Sequence, residues 1–280
     1  WGITHQYYDP MDPRDLEARM SPHTRLVWVE AAGSVTLEFP DLIALVQVCK
    51  RKGVRVALDN TWGAGLAFKP FDLLPDAEPG WGVDISAHAL TKYPSGGGDV
   101  LMGSVITRDA GLHLRLKLTH MRLGLGVGAN DAEAVLRALP SMALRYAAHD
   151  AGARALARWC QSRPEFAQVL HPALEASPGH AHWQALCRND AGGAAGLFSV
   201  VLDKQFSQTQ VDAFCDALRL FRLGYSWGGP ISLLVPYELE SMRTTWPAHI
   251  ARGTVVRFSV GLEAVEDLQS DLAQALQYLR

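Results

Sequence analysis

The chain has 280 residues, 48% of them hydrophobic, and 26 lysines and arginines against 29 aspartates and glutamates leave a formal charge of −3. That apolar content supports one large or two moderate cores, and a near-neutral balance without a basic stripe argues against nucleic acid as the main partner. No apolar run is long enough to span a bilayer, and no charged-then-apolar leader opens the sequence. Cys49, Cys160, Cys187 and Cys215 are scattered with no C-x-x-C pair, the pattern of reduced packing thiols in a cytoplasm and not of a disulfide framework.

In chain order, "TRLVWVEAAG" (24–33) is a β-branched and aromatic run ending in a turn, and reads as a strand. "PDLIALVQVCKRKG" (40–53) opens on Pro, closes on Gly and carries helix-spaced apolar residues with a cationic last turn. "VRVALDNTW" (54–62), "GVDISAHAL" (82–90) and "DVLMGSVITRD" (99–109) predict three further strands. Strands alternating with a helix imply a largely parallel sheet covered on both faces, whose active groups gather at the carboxyl ends of its strands. The Ala-, Leu- and Arg-rich stretch 131–163 predicts one long helix, bent or interrupted near Pro140, that joins two domains. Beyond it come a strand at 194–203, a helix at 207–221 with Ser207 as N-cap, a strand at 254–263 and an amphipathic final helix. These make a second, smaller α/β unit.

Within "VDISAHALTKYPSGGGDVLMG" (83–103), Lys92 stands between an apolar run and three glycines. A lone lysine after a strand is ordinarily a solvated rim residue. Here Thr91 sets a hydroxyl beside it, and Gly96, Gly97 and Gly98 allow backbone to approach a ligand. A desolvated lysine loses its proton readily and becomes a nucleophile able to form a Schiff base. Asp59 closes the preceding apolar strand; alone it reads as a turn or cap residue. Together they suit pyridoxal phosphate, which needs a lysine for its aldehyde and a carboxylate to keep its ring nitrogen protonated. Weaker signals carry less. "GLGVGAND" (124–131) follows a helix-like stretch and has the wrong spacing for a dinucleotide loop. The pairs His180/His182 and His113/His120 lack metal-ligand spacing or company.

Four blocks, "VALDNTW", "DISAHALTKY" with "GGGD" after it, "LGYSWGGPISLL" and "RFSVGLE", occur in this order across nearly the whole chain. In them the sequence resembles the Cys/Met-metabolism family of pyridoxal-phosphate enzymes. The resemblance implies a fold type I, aminotransferase-like three-layer α/β/α large domain over 1–135, N-terminally incomplete. It further implies a linker helix and smaller α/β domain over 136–280. Lys92 is then the lysine that carries the cofactor and moves protons on the substrate, Asp59 the partner of the ring nitrogen, and Thr91 a donor to the phosphate. The position three before the lysine, serine in many members, is Ala89 here. Ser34 stands where members place a polar group beside the ring hydroxyl. Arg257 would bind the substrate α-carboxylate with a two-point grip, and Ser226 and Trp227 would line the pocket. "SWGG" resembles the wording of the bacterial β-lyase branch, whereas γ-acting members tend toward "SLGG". That branch implies L-cystathionine as substrate, β-elimination to homocysteine, pyruvate and ammonia in methionine biosynthesis, and a homodimer paired into a homotetramer. A γ-synthase, a γ-lyase or a methionine γ-lyase is the alternative within the family; a non-catalytic assembly module is the alternative outside it. Members carry a leading segment with a ring-stacking tyrosine and a glycine-led phosphate-binding helix start. Tyr7 and Tyr8 in "YYDPMD" match a later loop, so the resemblance implies either a longer parent chain or a weakened cofactor grip and an exposed sheet edge.

Overall fold

The protein is described by a computed structural model covering residues 2–187, 193–243 and 245–279. Its first half contains α1 (Pro13–Arg19), β1 (Leu26–Glu30), α2 (Leu42–Arg51), β2 (Arg55–Asp59), β3 (Ile85–Ala89), β4 (Gly103–Ile106), α3 (Ala110–Arg122) and α4 (Ala129–Ala138). Strands β1, β2 and β3 are parallel neighbours, with Glu30 paired to Asp59 and Asp59 to Ala87. The strand expected over 99–109 shortens to β4 and runs antiparallel to β3, because the 90–102 segment doubles back within hydrogen-bonding reach: the Thr91 amide donates to the Met102 carbonyl.

Helix α2 begins at Leu42, two residues after the proline that opens the predicted segment. Asp41 caps it by accepting from the Ala44 amide, and Gly53, at φ +65°, releases the chain into β2. The helix buries Leu42, Leu45, Val46 and Cys49 against Val27, Val29, Val56 and Leu58 of the sheet. Coverage on both faces is not observed at β1. Its residues alternate, and Leu26 and Trp28 are 48% and 53% exposed while Val27 and Val29 lie in the core. An unbroken apolar run reads as two-sided in sequence, yet only the face meeting α2 is covered by packing.

The second half holds α5 (Met142–Gln161), β5 (Phe166–Leu170), α6 (His180–Cys187), β6 (Leu197–Leu202), α7 (Gln208–Ala217), β7 (Arg222–Leu223), β8 (Leu233–Tyr237), α8 (Leu239–Met242), β9 (Val255–Ser259) and α9 (Val265–Ala275). The long helix expected over 131–163 is two, α4 and α5, joined by a 3₁₀ turn at Leu139–Ser141 that contains Pro140. Ser207 does cap α7, in a reciprocal box with Gln210. Five strands form the second sheet in the order β5-β6-β9-β8-β7, antiparallel except for β7 with β8.

This sheet is buried on both faces, and strand alternation sorts its side chains between them. Phe198, Val200, Val256 and Phe258 pack on Leu156, Phe214 and Leu272 of α5, α7 and α9. Leu197, Val201, Val235 and Val255 join the core of the first sheet. Arg257 has the parity of Val255, so it is turned toward the first sheet. Asp271 on α9 spends its carboxylate on the otherwise unpaired amides of Arg219, Leu220 and Phe221, fixing the turn from α7 into β7. All four cysteines are buried free thiols, and no helix among the described residues is long and apolar enough to cross a membrane.

Candidate active site

Three neighbouring strands deliver functional groups at their carboxyl ends. β1 ends on Glu30 and β2 on Asp59, while β3 is followed, three residues on, by Lys92. Lys92 sits in a tight turn: its amide donates to the Ala89 carbonyl, and its carbonyl accepts from Gly96. The turn backs onto the loop after β7. Gly228 has φ +77°, and a Cβ there would lie 2.9 Å from the Tyr93 nitrogen and 3.1 Å from the Lys92 carbonyl carbon. Glycine is therefore required on both conformational and steric grounds, and the close approach brings the preceding Ser226 and Trp227 over the lysine.

The Lys92 Nζ donates to Ser226 Oγ at 2.9 Å and lies 4.3 Å from the centre of the Trp227 ring. Half-burial lowers its pKa, and the Arg257 charge lowers it further. Both causes favour the neutral amine. Arg257 is 3% exposed. Its Nη1 donates to the Ser34 carbonyl at 3.0 Å and its Nη2 to the Tyr225 carbonyl at 2.7 Å, with the Trp227 and Tyr237 rings 5.1 and 5.5 Å from Cζ. A guanidinium has five N–H groups, so this cage orients the fork and leaves donors for an anion.

Lys92, Ser226, Trp227, Arg257 and Ser34 thus converge. Asp59 stands at the adjoining strand end, where its Oδ1 accepts from the Thr61 amide, the local turn role its sequence also suggests. Thr91 Oγ1 accepts from the Met102 amide at 3.2 Å and donates to the Met102 carbonyl at a long 3.4 Å, stitching the lysine turn to the approach of β4. The Ala89 amide takes its partner from Thr61 Oγ1.

Glu30 escaped the sequence reading. The signal was available, because Glu30 closes β1 just as Asp59 closes β2. Crowding by surrounding protein and then the Asp59 charge push its carboxyl up to about 7, against donation from Ser34; its own surface opens to solvent, which limits that effect. A second unread group fixes the Ser34 loop. Buried Glu38 accepts from Thr36 and from His249 Nε2 and pairs with Arg243 at 3.7 Å. Burial pushes its carboxyl up, but those bonds outweigh it and hold it below the ordinary value.

The donor set suits pyridoxal phosphate. A half-buried amine faces a serine, an indole and an arginine with no carboxylate bound to it among the described residues. The Asp59 carboxylate closes the neighbouring strand, and the buried Trp227 Nε1 has no hydrogen-bond partner among the described residues.

Residues 1–277 match the family model described as "Cys/Met metabolism PLP-dependent enzyme". The chain is 40% identical over 274 residues to a putative cystathionine β-lyase of Rhizobium johnstonii, covering 97% of this chain and 65% of that one. It is 34% identical to cystathionine β-lyase of Salmonella typhimurium, covering 97% and 67%. It therefore spans about two thirds of the length of these curated relatives. Among solved structures, cystathionine γ-synthase of Xanthomonas oryzae pv. oryzae in complex with cystathionine superposes with a TM-score of 0.83 at 31% identity, over 97% of this chain and 68% of that one. Fold, sequence and the lysine-centred cleft agree, and the chain belongs to the Cys/Met-metabolism family of pyridoxal-phosphate-dependent enzymes.

Proposed function

We propose that the protein is a carbon–sulfur lyase that cleaves L-cystathionine by β-elimination, consuming one water to give homocysteine, pyruvate and ammonia, with Lys92, Thr91, Asp59 and Ser34 holding pyridoxal phosphate. The observation that carries this reading is the Lys92 amine, partly stripped of water and held at 2.9 Å by Ser226 beneath Trp227. Pyridoxal phosphate, when bound, supplies an electron sink for the pair released at the substrate Cα. Arg257 binds the α-carboxylate through its remaining donors and fixes the Cα–H bond against Lys92. The neutral Lys92 amine takes the α-proton, and its ammonium form returns a proton to the departing sulfur. Asp59 keeps the ring nitrogen protonated, while Trp227 walls the amine from solvent. The tryptophan in "SWGG" and the relatives named β-lyases favour β- over γ-cleavage. We further propose a cytoplasmic protein that assembles as homodimers paired into a homotetramer, with the chain divided near residue 135. Leu123, Leu125, Val127 and Leu136 are exposed along one stretch, which a second copy would cover.

The test is product analysis with the full chain, pyridoxal phosphate and L-cystathionine. Pyruvate with homocysteine supports the proposal; 2-oxobutyrate with cysteine replaces it by γ-cleavage. A folded protein that binds the cofactor yet releases neither keto acid overturns both.

Arg257→Met is expected to lower kcat/KM for cystathionine about 100-fold, the loss of two charged hydrogen bonds at about 1.5–3 kcal/mol each less partial compensation by water. The fall should lie mainly in KM. The same variant removes a like charge beside Lys92, so the amine pKa moves up and its acylation profile shifts to higher pH. A kcat/KM within threefold of the parent would remove Arg257 from carboxylate binding.

A further inference from the structure

The turn that carries Lys92 has a third support besides β3 and Gly228. Arg145, on the first turn of α5, sends Nη1 to the Tyr93 carbonyl at 2.8 Å, Nη2 to the Ala138 carbonyl at 3.0 Å and Nε to Ser141 Oγ at 3.0 Å. One planar group thus grips the Tyr93–Pro94 peptide, one residue past the lysine's own carbonyl, and the last carbonyl of α4, across the 3₁₀ joint formed at Pro140. The fit is close. Gly96 has φ +68°, and a Cβ on it would lie 2.3 Å from Arg145 Nη1 and 2.5 Å from Cζ. The glycine is needed where the guanidinium lies against the turn.

Tyr93 completes the anchorage from its other end. Its ring is fully buried between Tyr146 and His149, and its hydroxyl accepts from the Gly196 amide just before β6. Side chain and carbonyl of residue 93 are therefore both tied to the second half of the molecule, the carbonyl, among the described residues, through Arg145. With the Tyr93–Pro94 peptide held at its carbonyl and the Tyr93 ring held at its hydroxyl, the Tyr93 Cα is fixed, which limits rotation of the Lys92–Tyr93 peptide plane next to the Lys92 Cα. A four-carbon side chain amplifies any such rotation at Nζ. The 2.9 Å bond to Ser226 and the 4.3 Å approach to Trp227 depend on that plane staying where it is.

We propose that Arg145 is a positioning residue for Lys92: by binding the Tyr93 carbonyl and the end of α4 together, it makes the lysine turn and the α4–α5 joint one body and keeps the ε-amine against Ser226. The functional importance of that amine rests on the reading above, but the placement itself is tested without cofactor or substrate.

The experiment is competitive labelling of lysines with acetic anhydride across pH, with peptide mapping of Lys92, joined to amide hydrogen exchange at Gly96, whose N–H bonds the Lys92 carbonyl. In Arg145→Gln the amine leaves its half-buried place beside Arg257, so its labelling midpoint moves to higher pH and Gly96 exchanges about tenfold faster. Gly96→Ala, which displaces the guanidinium from the opposite side, gives the same two changes. Arg145→Lys, able to keep one carbonyl bond, falls between parent and Gln. Ser141→Ala leaves both readouts at parental values, because it removes the Nε bond and the Ser141 hydroxyl's own bond to the Ala138 carbonyl but neither carbonyl bond made by Arg145. Folded Arg145→Gln or Arg145→Lys protein with a parental Lys92 profile and parental Gly96 exchange overturns the proposal, including when its melting temperature has dropped, since that is a structural role alone. These readouts remain interpretable if no cystathionine is cleaved, so failure of this inference and failure of the functional reading are told apart.

Discussion

Lys92→Ala is expected to lose at least about 1,000-fold in pyruvate release from cystathionine while the fold persists, since nucleophilic attachment and proton transfer reside in the same amine. The side chain is half-buried, forms its one hydrogen bond to Ser226 and carries no ion pair among the described residues, so truncation leaves no buried charge stranded. Arginine should fail as completely as alanine. It retains the positive charge and the reach to Trp227, but it does not deprotonate in a protein. Ser226→Ala, which removes the acceptor and leaves the amine, should cost only about tenfold, the equivalent of one hydrogen bond. Borohydride treatment of the cofactor-loaded full chain gives a second readout: the label belongs on the peptide containing Lys92 and is absent in the alanine variant. Activity of Lys92→Ala within tenfold of the parent, or label on another lysine, would end the assignment.

Acid is expected to destabilise the protein steeply below pH 6.5, with His171 as the leading single cause. This residue is fully buried; its Nδ1 accepts from the Ala173 amide, and its Nε2 has no partner among the described residues. Burial, assisted by the charges of Arg154 and Arg158, pushes its pKa down to about 3. In the unfolded chain an imidazole titrates near 6.5. Between these values the unfolded state holds one more proton than the native state, so stability rises with pH and is lost as pH falls through this window. At about 1.4 kcal/mol per pH unit the loss approaches about 4 kcal/mol by pH 3.5, a large share of an ordinary domain's stability. Burial also lowers the pKa of His149 and steepens the same limb. His171→Asn keeps an acceptor for the Ala173 amide and removes the titration. Urea unfolding between pH 7 and pH 4 should then show a shallower dependence by close to one proton, on top of a constant packing loss. An unchanged slope would show that the buried ring is protonated in the native state.

Much of this site can be read from sequence because strand ends are local events. "VALD" and "AHALTK" each run out of β-branched or small apolar residues onto a single chemical group, and open α/β sheets concentrate chemistry there. Glu30 obeys the same rule but was hidden by two alanines that continue the apolar run past it. Arg145 and Glu38 could not be found this way. Besides local bonds, each has a partner that defines its role 52 and 211 residues away, and nothing in the neighbouring residues marks either as unlike a surface charge. Among the strands, β8 is absent from the sequence expectations, and Pro236 inside it normally argues against an inner strand. Here it faces Val256 in the register with β9, and flanking apolar packing keeps the strand in place. The parallel order of β1–β3 followed from alternation with a helix, whereas the reversal into β4 depends on tertiary pairing across the Lys92 turn.

The cage around Arg257 joins residues 223 positions apart, and the lysine meets its serine across 134. Closing such long loops costs entropy before any contact repays it. The cleft around Lys92 should consequently form last during refolding, after the helices have packed on both sheets. Until β9 is made, Lys92 would stand as an ordinary, fully hydrated amine. The burial and the Arg257 charge that lower its pKa arrive through topology, only once β9 has docked.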